Sequence, residues 1–199
     1  MVLAEITQPL FYAVAIINLL IGLTAILVLA AWASKPPFWN KLRKHLAKHG
    51  ITYGFITALL ATAGSLWLSE VSGITPCRLC WFQRVAMYPL VVVLGAGLYK
   101  KTKPRLPALI LSITGLIIAS YHYLVQQANF WQAGTMNAAQ RAISGFFEFI
   151  GLSLQAPGCS VDASCSVMYL GYWGFYSIPL MAATSFLAIT IALLLYEDK

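Results

Sequence analysis

The sequence holds four cysteines in two close pairs, Cys77 with Cys80 and Cys159 with Cys165. Thiols so spaced can cycle between dithiol and disulfide, supply part of a zinc site, or form inert bridges. Four cysteines allow three connectivities, and proximity alone favours local pairing. A bridge closed across two or five intervening residues removes little chain entropy, so neither pair makes a strong staple and both suit redox cycling better. Cys80 is followed by Trp81 rather than histidine, which argues against c-type haem attachment. A closed zinc site would have to draw all four sulfurs around one ion, so redox activity is the preferred reading and no tightly bound metal is required.

The residues around the first pair, Thr75-Pro76-Cys77-Arg78-Leu79-Cys80-Trp81-Phe82-Gln83-Arg84, read as the start of a helix. Thr75 suits the N-cap and Pro76 the first turn, setting both cysteines where backbone N–H groups and the helix dipole favour a thiolate. A stabilised thiolate is also the better leaving group in exchange. Arg84 follows Cys80 by four residues and Cys77 by seven, so one helix face can carry all three. A snorkelling headgroup arginine is the bland alternative. An ionisable group one to two turns into an apolar helix, beside a dithiol, favours function. His122 and Gln126 are again four apart, within Tyr121-His122-Tyr123-Leu124-Val125-Gln126, and can face one cavity. A histidine in an apolar helix is most often a packing residue, yet its ring can donate to a quinone carbonyl or carry protons.

The elements that position these groups belong in a membrane. Of 199 residues 60% are hydrophobic and 10% charged, with a mean hydropathy of +0.76, far from a soluble average. Five stretches, at about residues 8–33, 51–69, 82–99, 106–126 and 174–196, are long and apolar enough to cross a bilayer core of about 30 Å. The basic residues are sharply partitioned. Lys35, Lys41, Arg43, Lys44 and Lys48 fall in the first loop, Lys100, Lys101, Lys103 and Arg105 in the third, and Lys199 at the end; only Arg78, Arg84 and Arg141 belong to the other two loops or their helix edges. This bias predicts an outside N-terminus, a cytoplasmic C-terminus and both cysteine pairs outside, where disulfides are permitted. The pI near 9.3 therefore reflects topology. The basic run from Lys41 to His49 has no interleaved base-stacking aromatics, which excludes a nucleic-acid partner in favour of anionic lipid headgroups. The first apolar segment has no preceding basic residue and exceeds a signal-peptide core, so it reads as a retained helix. No internal repeat is present, and the one long connection, about residues 127–173, should carry function.

The segment Pro76-Cys77-Arg78-Leu79-Cys80-Trp81-Phe82-Gln83-Arg84-Val85-Ala86-Met87-Tyr88-Pro89 resembles the Cys-x-x-Cys region of the DsbB and BdbC type thiol:disulfide interchange proteins, quinone-dependent oxidases of bacterial inner membranes. The stretch from Tyr121 to Gln126 is similar to the next helix of that family. Cys159 with Cys165-Ser166-Val167, then Trp173-Gly174-Phe175 and Ile178-Pro179-Leu180, resembles its second cysteine pair and closing helix. The resemblance covers about residues 51–196. It implies an all-α polytopic membrane protein: a four-helix bundle core at 35–199 plus one additional N-terminal transmembrane helix at 1–34. It further implies reoxidation of a soluble, extracytoplasmic thioredoxin-fold (DsbA-like) dithiol oxidase, with electrons passed to ubiquinone or menaquinone. By the same resemblance Cys159 forms the mixed disulfide with the partner, Cys165 passes reducing equivalents on, Cys77 receives them and Cys80 faces the quinone as a thiolate. Arg84 then stabilises charge on ring and thiolate, with His122 and Gln126 as further ring contacts.

Two features depart from that pattern. The first helix is additional to the four-helix core. In the outer loop, Asn137, Arg141, Ser144, Glu148 and Gln155 form a polar stripe opposite Ile143, Phe146, Phe147, Phe149 and Ile150, which predicts an interfacial helix. Here that helix precedes both outer cysteines instead of separating them, leaving the order of exchange between Cys159 and Cys165 open. The competing readings are a vitamin K epoxide or quinone reductase-like dithiol enzyme, and a transporter or adaptor whose loops are merely stapled.

Overall fold

The computed structural model of the protein describes residues 2–100, 104–131, 171–172 and 176–197. Cys159, Cys165 and the predicted interfacial helix lie outside the described residues. Among the described residues five helices are long and apolar enough to cross a membrane: α1 (Val2–Ser34), α2 (Trp39–Leu66), α3 (Arg78–Lys100), α4 (Arg105–Trp131) and α5 (Ile178–Leu195). A two-residue antiparallel pair, β1 (Gly171–Tyr172) with β2 (Tyr176–Ser177), leads into α5.

The apolar stretches read from sequence coincide with these helices, but α2 starts some three turns before its predicted position. The basic run from Lys41 to Lys48 is therefore helical rather than loop. With the π-helical turn at Trp67–Val71 that continues it, α2 is a 33-residue rod. At about 1.5 Å per residue it is roughly 50 Å long, well beyond a hydrocarbon core of about 30 Å, so its basic first turns extend past the apolar layer. A hydropathy window that excludes lysine cannot see that continuation.

Helices α2, α3, α4 and α5 close a four-membered ring, each packed on the next and α5 back on α2, while α1 lies mainly against the outside of α5. Leu90, Leu94, Ala108, Ala119, Phe186, Ile189 and Leu193 fill the ring and are wholly buried. Val85, Val92, Ile110 and Ile117 point outward and are exposed, as do Leu20, Leu23 and Leu27 of α1. Exposed aliphatic faces on every side suit lipid rather than water. The close approach of α4 to α5 depends on a stripe of small buried residues, Ala108, Ser112, Gly115 and Ala119, with Thr190 Oγ1 donating to Ser112 Oγ at 3.1 Å.

One polar cluster fixes α1. Asn18 Nδ2 donates to Ser185 Oγ at 2.8 Å, and its Oδ1 accepts from the Tyr176 and Thr184 hydroxyls. In an apolar interface these bonds set the register that Val, Leu and Ile contacts leave free. Asn18→Leu keeps the branched shape and removes all three, at an expected cost of about 1–3 kcal/mol. The thermal midpoint of the detergent-purified protein should fall accordingly; an unchanged midpoint contradicts this role.

At the opposite end of the bundle from Cys77, Arg43 pairs with Glu197 at 2.8 Å, and Arg105 donates to the Leu193 and Leu194 carbonyls at the end of α5. Arg105 thus satisfies carbonyls that the helix terminus leaves open. The basic residues of α2 and α4 are gathered at that one end.

Candidate active site

Cys77 is the N-cap of α3. The expectation that Thr75 would fill that position is corrected: Thr75 and Pro76 precede the helix, and Trp81 N–H donates to the Cys77 carbonyl at 3.1 Å as the first intrahelical bond. Threonine followed by proline is compatible with an N-cap, but here Pro76 also lies outside the helix and the intrahelical bonds begin only at the Cys77 carbonyl. The Cys77 sulfur consequently occupies the place of an N-cap oxygen and receives Cys80 N–H at 3.5 Å. Helix-end donors and the dipole thus act on Cys77 directly.

The two sulfurs are 3.3 Å apart and both are thiols. Cys77 is buried, and the Nε2 of His122 approaches its Sγ to 3.6 Å. Gln83 Nε2 lies 3.0 Å from His122 Nδ1. An amide N–H donating to Nδ1 places the ring proton on Nε2, where it faces the Cys77 sulfur. Cys80 and His122 between them pull the Cys77 thiol below its ordinary value, the Cys80 hydrogen bond contributing most and burial opposing it. The contacts that stabilise a thiolate therefore converge on Cys77.

Arg84 is buried one turn further along α3. Its Nε donates to Ser65 Oγ at 2.9 Å and its Nη2 to the Ser65 carbonyl at 2.8 Å. The guanidinium also lies 5.2 Å from the centre of the Trp81 ring. Ser65 stands just before the wider turn of α2, where Ser72 N–H reaches back five residues to the Trp67 carbonyl. The end of α2 thus clamps the arginine in place as a fork, a geometry lysine cannot copy.

Cys77, Cys80, Arg84, His122 and Gln126, five of the seven residues singled out from the sequence, line one cavity of about 420 Å³. The other two, Cys159 and Cys165, lie outside the described residues. Its walls are mostly apolar, and Val14, Ile17, Asn18 and Ile21 of α1 form one of them. An apolar chamber with a few converging polar groups suits a small hydrophobic ligand. The sequence reading gave no role to Gln83, Ser65 or Tyr88. Gln83 was legible in principle, since it is three residues after Cys80 and shares its face. Ser65 comes from another helix and carries no local signal. Tyr88 lines the same cavity, and its buried hydroxyl has no hydrogen-bond partner among the described residues.

A dithiol at a helix N-terminus, opening on an apolar chamber among membrane helices, defines a membrane thiol–disulfide oxidoreductase. Residues 48–196 match the family model of the disulfide bond formation protein DsbB. The chain is 40% identical over 142 residues, 71% of its length and 83% of the relative's, to a probable disulfide formation protein of Oceanobacillus iheyensis. It is 33% identical over 146 residues, 73% of its length and 90% of the relative's, to disulfide bond formation protein C of Bacillus subtilis. A probable disulfide formation protein of Coxiella burnetii is 30% identical over 151 residues, 75% of this chain and 88% of that one. No solved structure matches. This chain belongs to the DsbB family and is a multi-pass membrane protein of disulfide bond formation. The matched region begins at residue 48, so α1 lies outside it.

Proposed function

We propose that the protein reoxidises a soluble thioredoxin-fold dithiol oxidase outside the bacterial cytoplasmic membrane and passes the electrons to a membrane quinone. The observation that carries this reading is that both sulfurs, Arg84 and His122 open onto one shared cavity. Its residues suit a quinone head: mostly apolar walls, a fixed cation, and the Tyr88 hydroxyl, which has no partner among the described residues and can donate to a carbonyl oxygen. When bound, a quinone supplies a two-electron, two-proton acceptor.

The chain's own residues do the rest. A reduced partner's thiolate attacks the Cys159–Cys165 disulfide, and a second exchange releases the partner oxidised and leaves this pair as a dithiol. That dithiol reduces the Cys77–Cys80 disulfide in the same manner, Cys77 being attacked and Cys80 turned to the cavity. His122 holds a proton at Nε2 against the Cys77 sulfur, and Gln83 orients the ring. Arg84, held by Ser65, keeps positive charge beside the cavity where negative charge develops. Energetically, about 30 mV shifts a two-electron equilibrium tenfold, so an oxidising lipid pool can keep the pairs oxidised. The proposed orientation is supported by Arg43 and Arg105 lying at the end away from Cys77, the end that a positive-inside bias would put in the cytoplasm. Helix α1 closes one side of the chamber and so limits what enters from the lipid.

The reading is tested with purified protein in lipid nanodiscs, supplying a reduced thioredoxin-fold dithiol and following absorbance of a ubiquinone or menaquinone analogue. Stoichiometric reduction of the quinone supports it; oxidation that ignores the quinone, or turnover of vitamin K epoxide instead, contradicts it. Arg84→Lys retains charge but loses the fork on Ser65, and turnover should fall on the order of tenfold, the worth of one charge-assisted hydrogen bond at about 1.5 kcal/mol. Wild-type turnover in this variant argues that charge alone matters.

A further inference from the structure

The same three groups that handle thiol exchange are soft or borderline ligands, and their geometry fits a metal. Cys77 Sγ, Cys80 Sγ and a ring nitrogen of His122 all lie within 4.8 Å of one another. In a tetrahedral zinc site, bonds of about 2.3 Å to sulfur and 2.0–2.1 Å to nitrogen set ligand edges of about 3.8 Å between sulfurs and 3.6 Å from sulfur to nitrogen. The Cys77-to-His122 edge is already 3.6 Å and the sulfur–sulfur edge 3.3 Å, so the latter needs to open by about half an ångström, while the Cys80-to-His122 edge, within 4.8 Å, has to settle at the length of the first.

We propose that the reduced site is a redox-gated zinc site: as a dithiol, Cys77 and Cys80 bind one Zn²⁺ together with His122 Nε2, leaving a fourth position open, and as a disulfide they do not. Binding forms two Zn–S bonds and one Zn–N bond and displaces whatever protons the two sulfurs still hold. In the disulfide each sulfur is bonded to the other and no thiolate is offered. Gln83 supplies the outer partner such a histidine needs: turned by half a rotation, its amide oxygen accepts the Nδ1 proton of a metal-bound ring. Two sulfurs and an imidazole select zinc over magnesium or calcium, which take oxygen ligands. The ion occupies both sulfurs that exchange requires, so it stalls the reduced enzyme and draws the pair towards the dithiol by mass action. This consequence rests on the cycling proposed above; the binding itself does not.

Co²⁺ serves as the visible probe and Zn²⁺ as competitor, with the full-length Cys159→Ser/Cys165→Ser protein so that only one thiol pair remains. The reduced protein should take up one Co²⁺ with a thiolate-to-cobalt charge-transfer band and tetrahedral ligand-field bands, all displaced by Zn²⁺. The same protein oxidised at Cys77–Cys80 should show none of these, which controls for folding without any substitution. Cys80→Ser should lose the band, and His122→Ala should weaken binding at least tenfold. Absence of a thiolate–cobalt band in the reduced protein, or a band of undiminished affinity in His122→Ala, overturns the inference. Quinone-linked turnover is read separately in the wild-type protein: metal binding with no wild-type turnover leaves the zinc site standing and removes the oxidase reading, and wild-type turnover without metal binding does the reverse.

Discussion

Cys77→Ser leaves membranes without measurable quinone-linked dithiol oxidation, a loss of at least about a thousandfold, or some 4 kcal/mol in the barrier. The size of the effect follows from chemistry: a serine oxygen forms no disulfide, so electrons arriving from a partner have no onward acceptor 3.3 Å from Cys80. The protein itself should persist, because serine at this N-cap still accepts the Cys80 N–H. Size-exclusion and thermal profiles near wild type, together with lost turnover, are the expected pair of results. A stapling role for Cys77–Cys80 predicts the opposite pair, with turnover retained and the thermal midpoint lowered. In the variant, Cys159 and Cys165 should accumulate as thiols once a reduced partner is added.

Gly115→Leu should unfold or misassemble the bundle. A Cβ on Gly115 would overlap the ring of Phe186, which is wholly buried and has nowhere to move. The remaining leucine atoms enter the seam between α4 and α5, where Ser112 and Thr190 hold the helices together one turn away. Overpacking of this kind costs about 1–3 kcal/mol or more, and in a membrane bundle no collapse of neighbouring helices relieves it, since their approach depends on small residues. The check is the fraction of detergent-extracted protein that elutes as a single monodisperse species, compared with Gly64→Leu on α2, where a Cβ meets nothing within 4 Å. Equal yields for the two variants contradict this account of the α4–α5 contact.

The five spans were legible because bilayer thickness imposes a length of apolar sequence that few other folds require. The basic start of α2 was not, since a rod can continue helically beyond the hydrocarbon with lysines on its surface. Around the cysteines, the sequence announced a helix N-terminus, and the two i, i+4 pairs it singled out, Cys80 with Arg84 and His122 with Gln126, line one chamber. It missed the cap by two residues, because threonine before proline and a cysteine thiol both have the chemistry to fill that position. The partnership of Arg84 with Ser65, and that of Asn18 with Tyr176, Thr184 and Ser185, join residues far apart in the chain. Such contacts come from helix packing and leave no local pattern. Helix α1 illustrates the limit: hydropathy identifies it as a span, while only the assembled bundle makes it a wall of the cavity.

The most direct test of the central claim reads the redox state of all four cysteines by thiol alkylation in purified membranes after a reduced thioredoxin-fold dithiol is added, with and without quinone. Cys77, Cys80, Cys159 and Cys165 should trap as thiols without quinone and return to disulfides when it is supplied; four cysteines that remain disulfide-bonded throughout would show the bridges to be structural and contradict the account.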